Sequence, residues 1–254
     1  MIDINCDMGE SFGHYRIGAD EEMMPYVTSA NIACGFHAGD PRVMARTVQL
    51  ALAHGVGVGA HPGYPDLRGF GRHRLDLSPA EIEADLLYQI GALEAFARAH
   101  GTRVTHVKPH GALYNVSEVD EKVAAAVAWA VKTYNPDLVL VISATSTLAI
   151  QAAEAQGLRV AREAFADRNY NPNGTLRSRR ERDALITDPA LAAERAVKMA
   201  RDGVIVAYDG TRVPVRPDTL CIHGDEPTAP AVAKAVRAAL AAAGVEVRGL
   251  ANLL

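Results

Sequence analysis

The chain has 254 residues, 49% of them apolar and 22% charged, with a formal net charge of −4. That is the composition of a globular domain with a sizeable core. Acidic and basic residues alternate without a basic face, which excludes a nucleic-acid-binding reading. No apolar run approaches the roughly 20 residues needed to span a bilayer. Three widely spaced cysteines, Cys6, Cys34 and Cys221, form no CxxC pair and no disulfide framework, as expected in the cytoplasm.

Short β-like runs alternate with helical ones. The first strand is expected over Ile2–Cys6, the second over Ser29–Ala33 and the third over Val56–Ala60. Helix Pro41–His54 starts after Asp40, a good N-cap, with proline at its first position. Helix Pro79–His100 starts after Ser78, with Glu81 in its first turn. Then come strand Val104–Lys108, helix Val119–Tyr134, strand Leu138–Ile142, helix Thr147–Gln156 and strand Arg159–Ala164. Helix Pro189–Arg201, strands Val204–Tyr208 and Thr219–His223, and helix Pro230–Ala243 complete the series. The stretch Phe165–Thr187 breaks this rhythm and reads as a long functional loop. Alternation of this kind implies right-handed βαβ crossovers and a mainly parallel sheet. Seven or eight units predict a TIM-like (β/α) barrel, with a doubly wound sheet as competitor. No linker divides the chain, so residues 1–254 read as one domain.

The strand ends carry the chemistry. His37, His61, His110 and His223 each lie at or just past a predicted strand, with glycine one or two residues later. One such histidine is usually structural. Four in one topological slot of a barrel would meet at its mouth. Asp3, Asn5 and Asp7 share one face of the first strand, as either a site lining or the wet face of an edge strand. Glu10 and Ser11 follow in the loop, with Ser11 equally placed as a cap. His106, Lys108 and His110 share a face of the fourth strand. Lys108 reads as a charge partner for a carboxylate or oxyanion, as a base, or as a rim lysine. Tyr114 reads as a substrate contact or a packing residue. After the sixth strand stand Glu163, Asp167, Arg168 and Tyr170. The cluster Arg177, Arg179, Arg180 and Arg182 reads more readily as solvated surface than as an anion clamp. Cys34 reads as a small buried cysteine rather than a nucleophile. The sequence contains no GxSxG elbow, no GxxxxGK[ST] loop and no GxGxxG turn after a strand.

The stretches DINCDMGESFG, NIACGFHAGDP, HPGYPD, VKPHGALYN and FADRNY together resemble the LamB/YcsF family over nearly the whole chain. The resemblance implies a barrel of the glycoside hydrolase/deacetylase type. It also implies the activity of a bacterial 5-oxoprolinase, cleaving 5-oxoproline (pyroglutamate) to L-glutamate with hydrolysis of ATP and its magnesium counter-ion. This chain would stand as the A subunit, beside subunits B and C. On that reading Asp7, His37, His61 and Lys108 are the catalytic candidates, one of the first three acting as general base. Asn5, Glu10, His110, Tyr114, Glu163, Asp167, Arg168 and His223 are the substrate-binding candidates. A second reading is a metal-dependent deacetylase or hydrolase with Asp7, His37 and His61 as ligands of a divalent ion. A third is a non-catalytic protein that scaffolds its partners.

Overall fold

The computed structural model describes residues 1–253. Six parallel strands follow in order: β1 (Asp3–Met8), β2 (Ser29–Ala33), β3 (Gly57–His61), β4 (His106–Val107), β5 (Val139–Ser143) and β6 (Arg159–Phe165). A two-stranded antiparallel hairpin, β7 (Val204–Val206) with β8 (Arg212–Pro214), stands apart from them. Strand β9 (Thr219–Cys221) then pairs with both β6 and β1 and closes a seven-stranded barrel. The expected (β/α) barrel is therefore the observed one. The expected strand Val204–Tyr208 is corrected: its apolar half forms β7 outside the barrel, turned back by the loop around Asp209 and Gly210. An Asp-Gly pair between two short apolar runs is a hairpin signal.

A one-turn helix, α1 (Asp20–Met23), precedes β2. Outside the barrel lie α2 (Pro41–Ala53), α3 (Pro79–Ala99), α4 (Gly111–Ser117), α5 (Glu121–Tyr134), α6 (Thr147–Ala155), α7 (Pro189–Val197) and α8 (Ala229–Ala242). The sequence signals for helix starts act as expected. Asp40 accepts hydrogen bonds from the amides of Arg42 and Val43, and Ser78 forms a reciprocal capping box with Glu81. No described helix is long and apolar enough to cross a membrane.

Strand alternation sorts β1 into two rows. Ile4, Cys6 and Met8 belong to the apolar core, whereas Asp3, Asn5 and Asp7 point into the barrel. Because β1 lies between β2 and β9, it has no free edge, so the edge-strand reading of that polar row falls away. The interior is a column of paired polar groups, unlike the apolar layers that usually fill such barrels. At its lower end the buried Asp3 carboxylate accepts from the hydroxyls of Thr28, Ser29 and Thr219. One level up, Asn5 donates to Glu163 and Thr219, and Asn31 donates to both Asn5 and Asp7. Opposite Asn31 in register is Gly59, and a Cβ there would land inside the His106 ring. Glycine at this position makes room for His106, whose Nε2 lies 3.0 Å from the Asn31 side-chain oxygen.

Candidate active site

The column ends at Lys108, just past β4. Its ammonium is 3.0 Å from Asp7 Oδ1 and 2.9 Å from Glu163 Oε1, with Asn5 Oδ1 and Cys221 Sγ at 3.4 and 3.2 Å. All are buried. Burial disfavours the ammonium, but the charges around it, Asp7 first, outweigh this and hold Lys108 protonated well beyond the usual lysine range. Burial likewise works against the Asp7 carboxylate, and the groups beside it, Lys108 among them, hold it well below the usual range. Asp7 is thus a fixed, ionised carboxylate. The donors of Lys108 are committed to these partners, so an oxyanion role requires substrate to displace one of them.

Beside this clamp sit four side chains from successive strand ends. His61 ends β3, His110 precedes α4, His37 lies in the β2–α2 loop and Glu10 in the loop after β1. Glu10 Oε1 is 3.4 Å from His37 Nε2 and 3.5 Å from His110 Nδ1. His61 Nε2 is 2.9 Å from His110 Nδ1 and 3.3 Å from Asp7 Oδ2. The His37 and His110 rings stack with centroids 3.7 Å apart. The β2–α2 loop turns back sharply at Gly39, where φ is +78° and a Cβ would meet backbone carbonyl oxygens of Ala33 and Gly9. Phe70, the one non-glycine residue with positive φ among those described, aims its carbonyl at His110 Nε2, 2.8 Å away. Burial holds His37 and His110 neutral, well below the usual imidazole range, and pushes Glu10 well above the usual carboxylate range.

Neutral imidazoles and a carboxylate oxygen are the donor set of a divalent transition ion, so these residues fit one. The fit differs from the expected trio. Glu10, His37, His61 and His110 offer ligand atoms that all lie within 4.8 Å of one another, and Asp7 is outside that group. Asp7 belongs instead to the Lys108 clamp.

Above lies a cavity of about 600 Å³. Asp7, Glu10, His61, Lys108, His110 and Tyr114 border it, as do Arg168 and His223. Asn5, His37, Glu163 and Asp167 stand behind this lining and reach the cavity through the side chains they contact. Asp167 binds the His223 backbone amide and Nδ1, at 2.8 and 2.9 Å, and His223 stacks on Phe165. Tyr114 is buried, and its hydroxyl has no hydrogen-bond partner in the protein. Cys34 is buried with its thiol pushed up to about 12, which agrees with the inert reading.

The arginine cluster departs from expectation. Arg177, Arg179 and Arg180 border the cavity with Arg72 and Arg168, and only Arg182 is plain surface. Asp225 draws in two of them, bonding Arg72 at 2.9 Å and Arg179 at 3.1 Å, while Arg177 pairs with Asp183. The hairpin supports the same loop: the Tyr208 amide donates to the Tyr170 carbonyl, and Arg177 lies 4.0 Å over the Tyr208 ring. Asn31, Arg72, Asp225 and Glu118 were not singled out from sequence. Glu118 borders the cavity with its carboxyl pushed up to about 7 by burial.

Comparison with known proteins agrees with this architecture. A 5-oxoprolinase A subunit from Natranaerobius thermophilus is 53% identical over 98% of this chain and 97% of its own. One from Chloroflexus aggregans is 57% identical over 97% and 98% respectively. The crystal structure of a lactam utilization protein from Thermus thermophilus superposes with a TM-score of 0.92 at 53% identity, covering 98% of this chain and 99% of that one. The profile of the LamB/YcsF family matches residues 2–254, and the chain belongs to that family.

Proposed function

We propose that this chain is the lactam-opening subunit of a 5-oxoprolinase. It converts 5-oxoproline to L-glutamate, coupled to ATP hydrolysis, in a cytoplasmic complex with subunits B and C. The whole chain acts as one catalytic barrel. The observation that carries the reading is Asp7 clamped by Lys108 at the floor of a cavity rimmed by arginines. The arginines suit an anionic substrate such as the 5-oxoproline carboxylate. Near-full-length relatives that carry the name of the 5-oxoprolinase A subunit favour this reading over the deacetylase one.

The geometry supports the following roles. Asp7 takes a proton from water as its oxygen attacks the lactam carbonyl carbon. The C–N bond breaks, and the ring nitrogen receives a proton from His223, oriented by Asp167 as a carboxylate orients a catalytic imidazole. Glu163 and Asn5 hold Lys108, which shifts toward the developing oxyanion. Glu10, His110, Tyr114 and Arg168 border the substrate. ATP, with magnesium, supplies activation of the unreactive amide carbonyl. Its site is assigned to a partner protein of the complex, since this sequence has no lysine-tipped glycine loop.

The test is glutamate formation from 5-oxoproline, ATP and magnesium by the pure chain and by the chain with subunits B and C. Turnover is expected only from the complete enzyme. Asp7→Asn should lower it by at least about a hundredfold. Robust turnover by the isolated chain, or a normal rate from the variant, overturns the assignment.

A further inference from the structure

We propose that Glu10, His37, His61 and His110 bind one divalent cation of the zinc type, which pins together the loops after β1, β2 and β4 and the end of β3 at the barrel mouth.

The reasoning starts from proton positions. His61 Nδ1 lies 2.7 Å from the Lys108 carbonyl oxygen, and His110 Nε2 lies 2.8 Å from the Phe70 carbonyl oxygen. A carbonyl oxygen only accepts, so each ring carries its proton on that side. The other nitrogens, His61 Nε2 and His110 Nδ1, then present lone pairs to each other across 2.9 Å. Ionised, Glu10 adds a third electron-rich atom, Oε1, 3.5 Å from His110 Nδ1, although burial without a cation favours its protonated form. Asp7 Oδ2 stands 3.3 Å from His61 Nε2. Such a convergence is repulsive until a positive centre enters it.

A proton shared by His61 and His110 relieves only part of this. It leaves Glu10 Oε1 and both nitrogens of His37 buried without a hydrogen-bond partner in the protein. Orphaned buried polar atoms are rare and costly. One cation satisfies Glu10 Oε1, His37 Nε2, His61 Nε2 and His110 Nδ1 together. The spacings agree with this. Ligand bonds of about 2.0–2.1 Å in a tetrahedral site separate neighbouring donors by roughly 3.3 Å. Three of the six separations among these donors are 2.9, 3.4 and 3.5 Å, and all six are within 4.8 Å. Anchoring of a ligand histidine's far nitrogen on a backbone carbonyl is the usual supporting arrangement in metal sites. Phe70 supplies one such anchor from a backbone conformation that few non-glycine residues adopt. Three nitrogens and one oxygen in a four-donor set favour zinc over magnesium or calcium.

This assignment is independent of the lactam reaction and is tested without turnover. The chain, stripped with a chelator, is dialysed against Zn²⁺ or Co²⁺ and analysed for bound metal. One ion per chain is expected, with the visible absorption of four-coordinate cobalt and a melting temperature raised by about 5 °C over the stripped form. Glu10→Gln and His37→Gln should each weaken binding by about a hundredfold, while Asp7→Asn keeps the ion. Circular dichroism of the stripped variants controls for folding. The proposal is overturned if wild type retains no stoichiometric ion. It is also overturned if Asp7→Asn loses the ion as readily as Glu10→Gln, or if ¹⁵N spectra at saturating Zn²⁺ still show a proton shared between His61 and His110.

Discussion

Within the interior polar column, Lys108 is the cation that meets Asp7 and Glu163 directly, and its removal has an asymmetric cost. Taking away one partner of a buried ion pair strands the other charge in a poor solvent, usually at about 3–5 kcal/mol. Lys108→Met should therefore lower unfolding free energy by about 3–5 kcal/mol in urea titrations. Adding Glu163→Gln should restore part of it; if the double variant is no more stable than the single, Lys108 does not act through Glu163. Asp3, deeper in the barrel, makes a pH prediction. Burial raises its carboxyl to about 6 despite hydroxyl donors from Thr219, Thr28 and Ser29. A folded-state value above the unfolded one means the native protein keeps a proton that the unfolded chain has released. The contribution is full below about pH 4 and is lost as pH rises to about 6, amounting to roughly 3 kcal/mol. Asp3→Asn cannot titrate, so wild type should lose stability relative to it between about pH 4 and 7. Parallel pH curves for the two proteins would contradict this.

Between strands, the tightest fit is β3 against β4. Gly59→Ala drives a methyl into the His106 ring, which is pinned by Asn31, and overpacking of this kind costs about 1–3 kcal/mol. Thermal unfolding should show a melting temperature lower by several degrees, and an unchanged value would mean that the ring can move aside. Elements of this kind were readable from sequence where the signal was local. Asp40-Pro41 and Ser78-Pro79 marked helix starts, and the polar alternation of Asp3, Asn5 and Asp7 marked a shared polar face, which the pairing of β1 with β2 and β9 then placed inside the barrel. Signals that depend on a distant partner were not readable. Asn31 inside an apolar strand, or Thr219 beside Leu220, carries no local mark of the side chain it meets across the barrel. Charge alone suggested solvent for Arg177, Arg179 and Arg180, because Asp225, which anchors Arg179, lies far along the chain. The run Val204–Tyr208 had strand character, and only the Asp209–Gly210 turn distinguished a hairpin from another barrel strand.

At the scale of the whole molecule, the ends of β1, β3, β4, β6 and β9 line one mouth, and the long loop after β6 forms part of its rim. That arrangement explains how a polar column and a charged rim coexist: the closed sheet shields the first from water while the second faces the cavity. Strand β6 hydrogen-bonds β9 directly, so closure of the sheet does not depend on anything between Phe165 and Thr219. The arginine loop, the β7–β8 hairpin and α7 are all an excursion between two neighbouring strands. The excursion can therefore change in length or sequence without opening the barrel, and the shape of the rim can change with it, while Asp7, Lys108 and the histidine cluster stand on other strand ends.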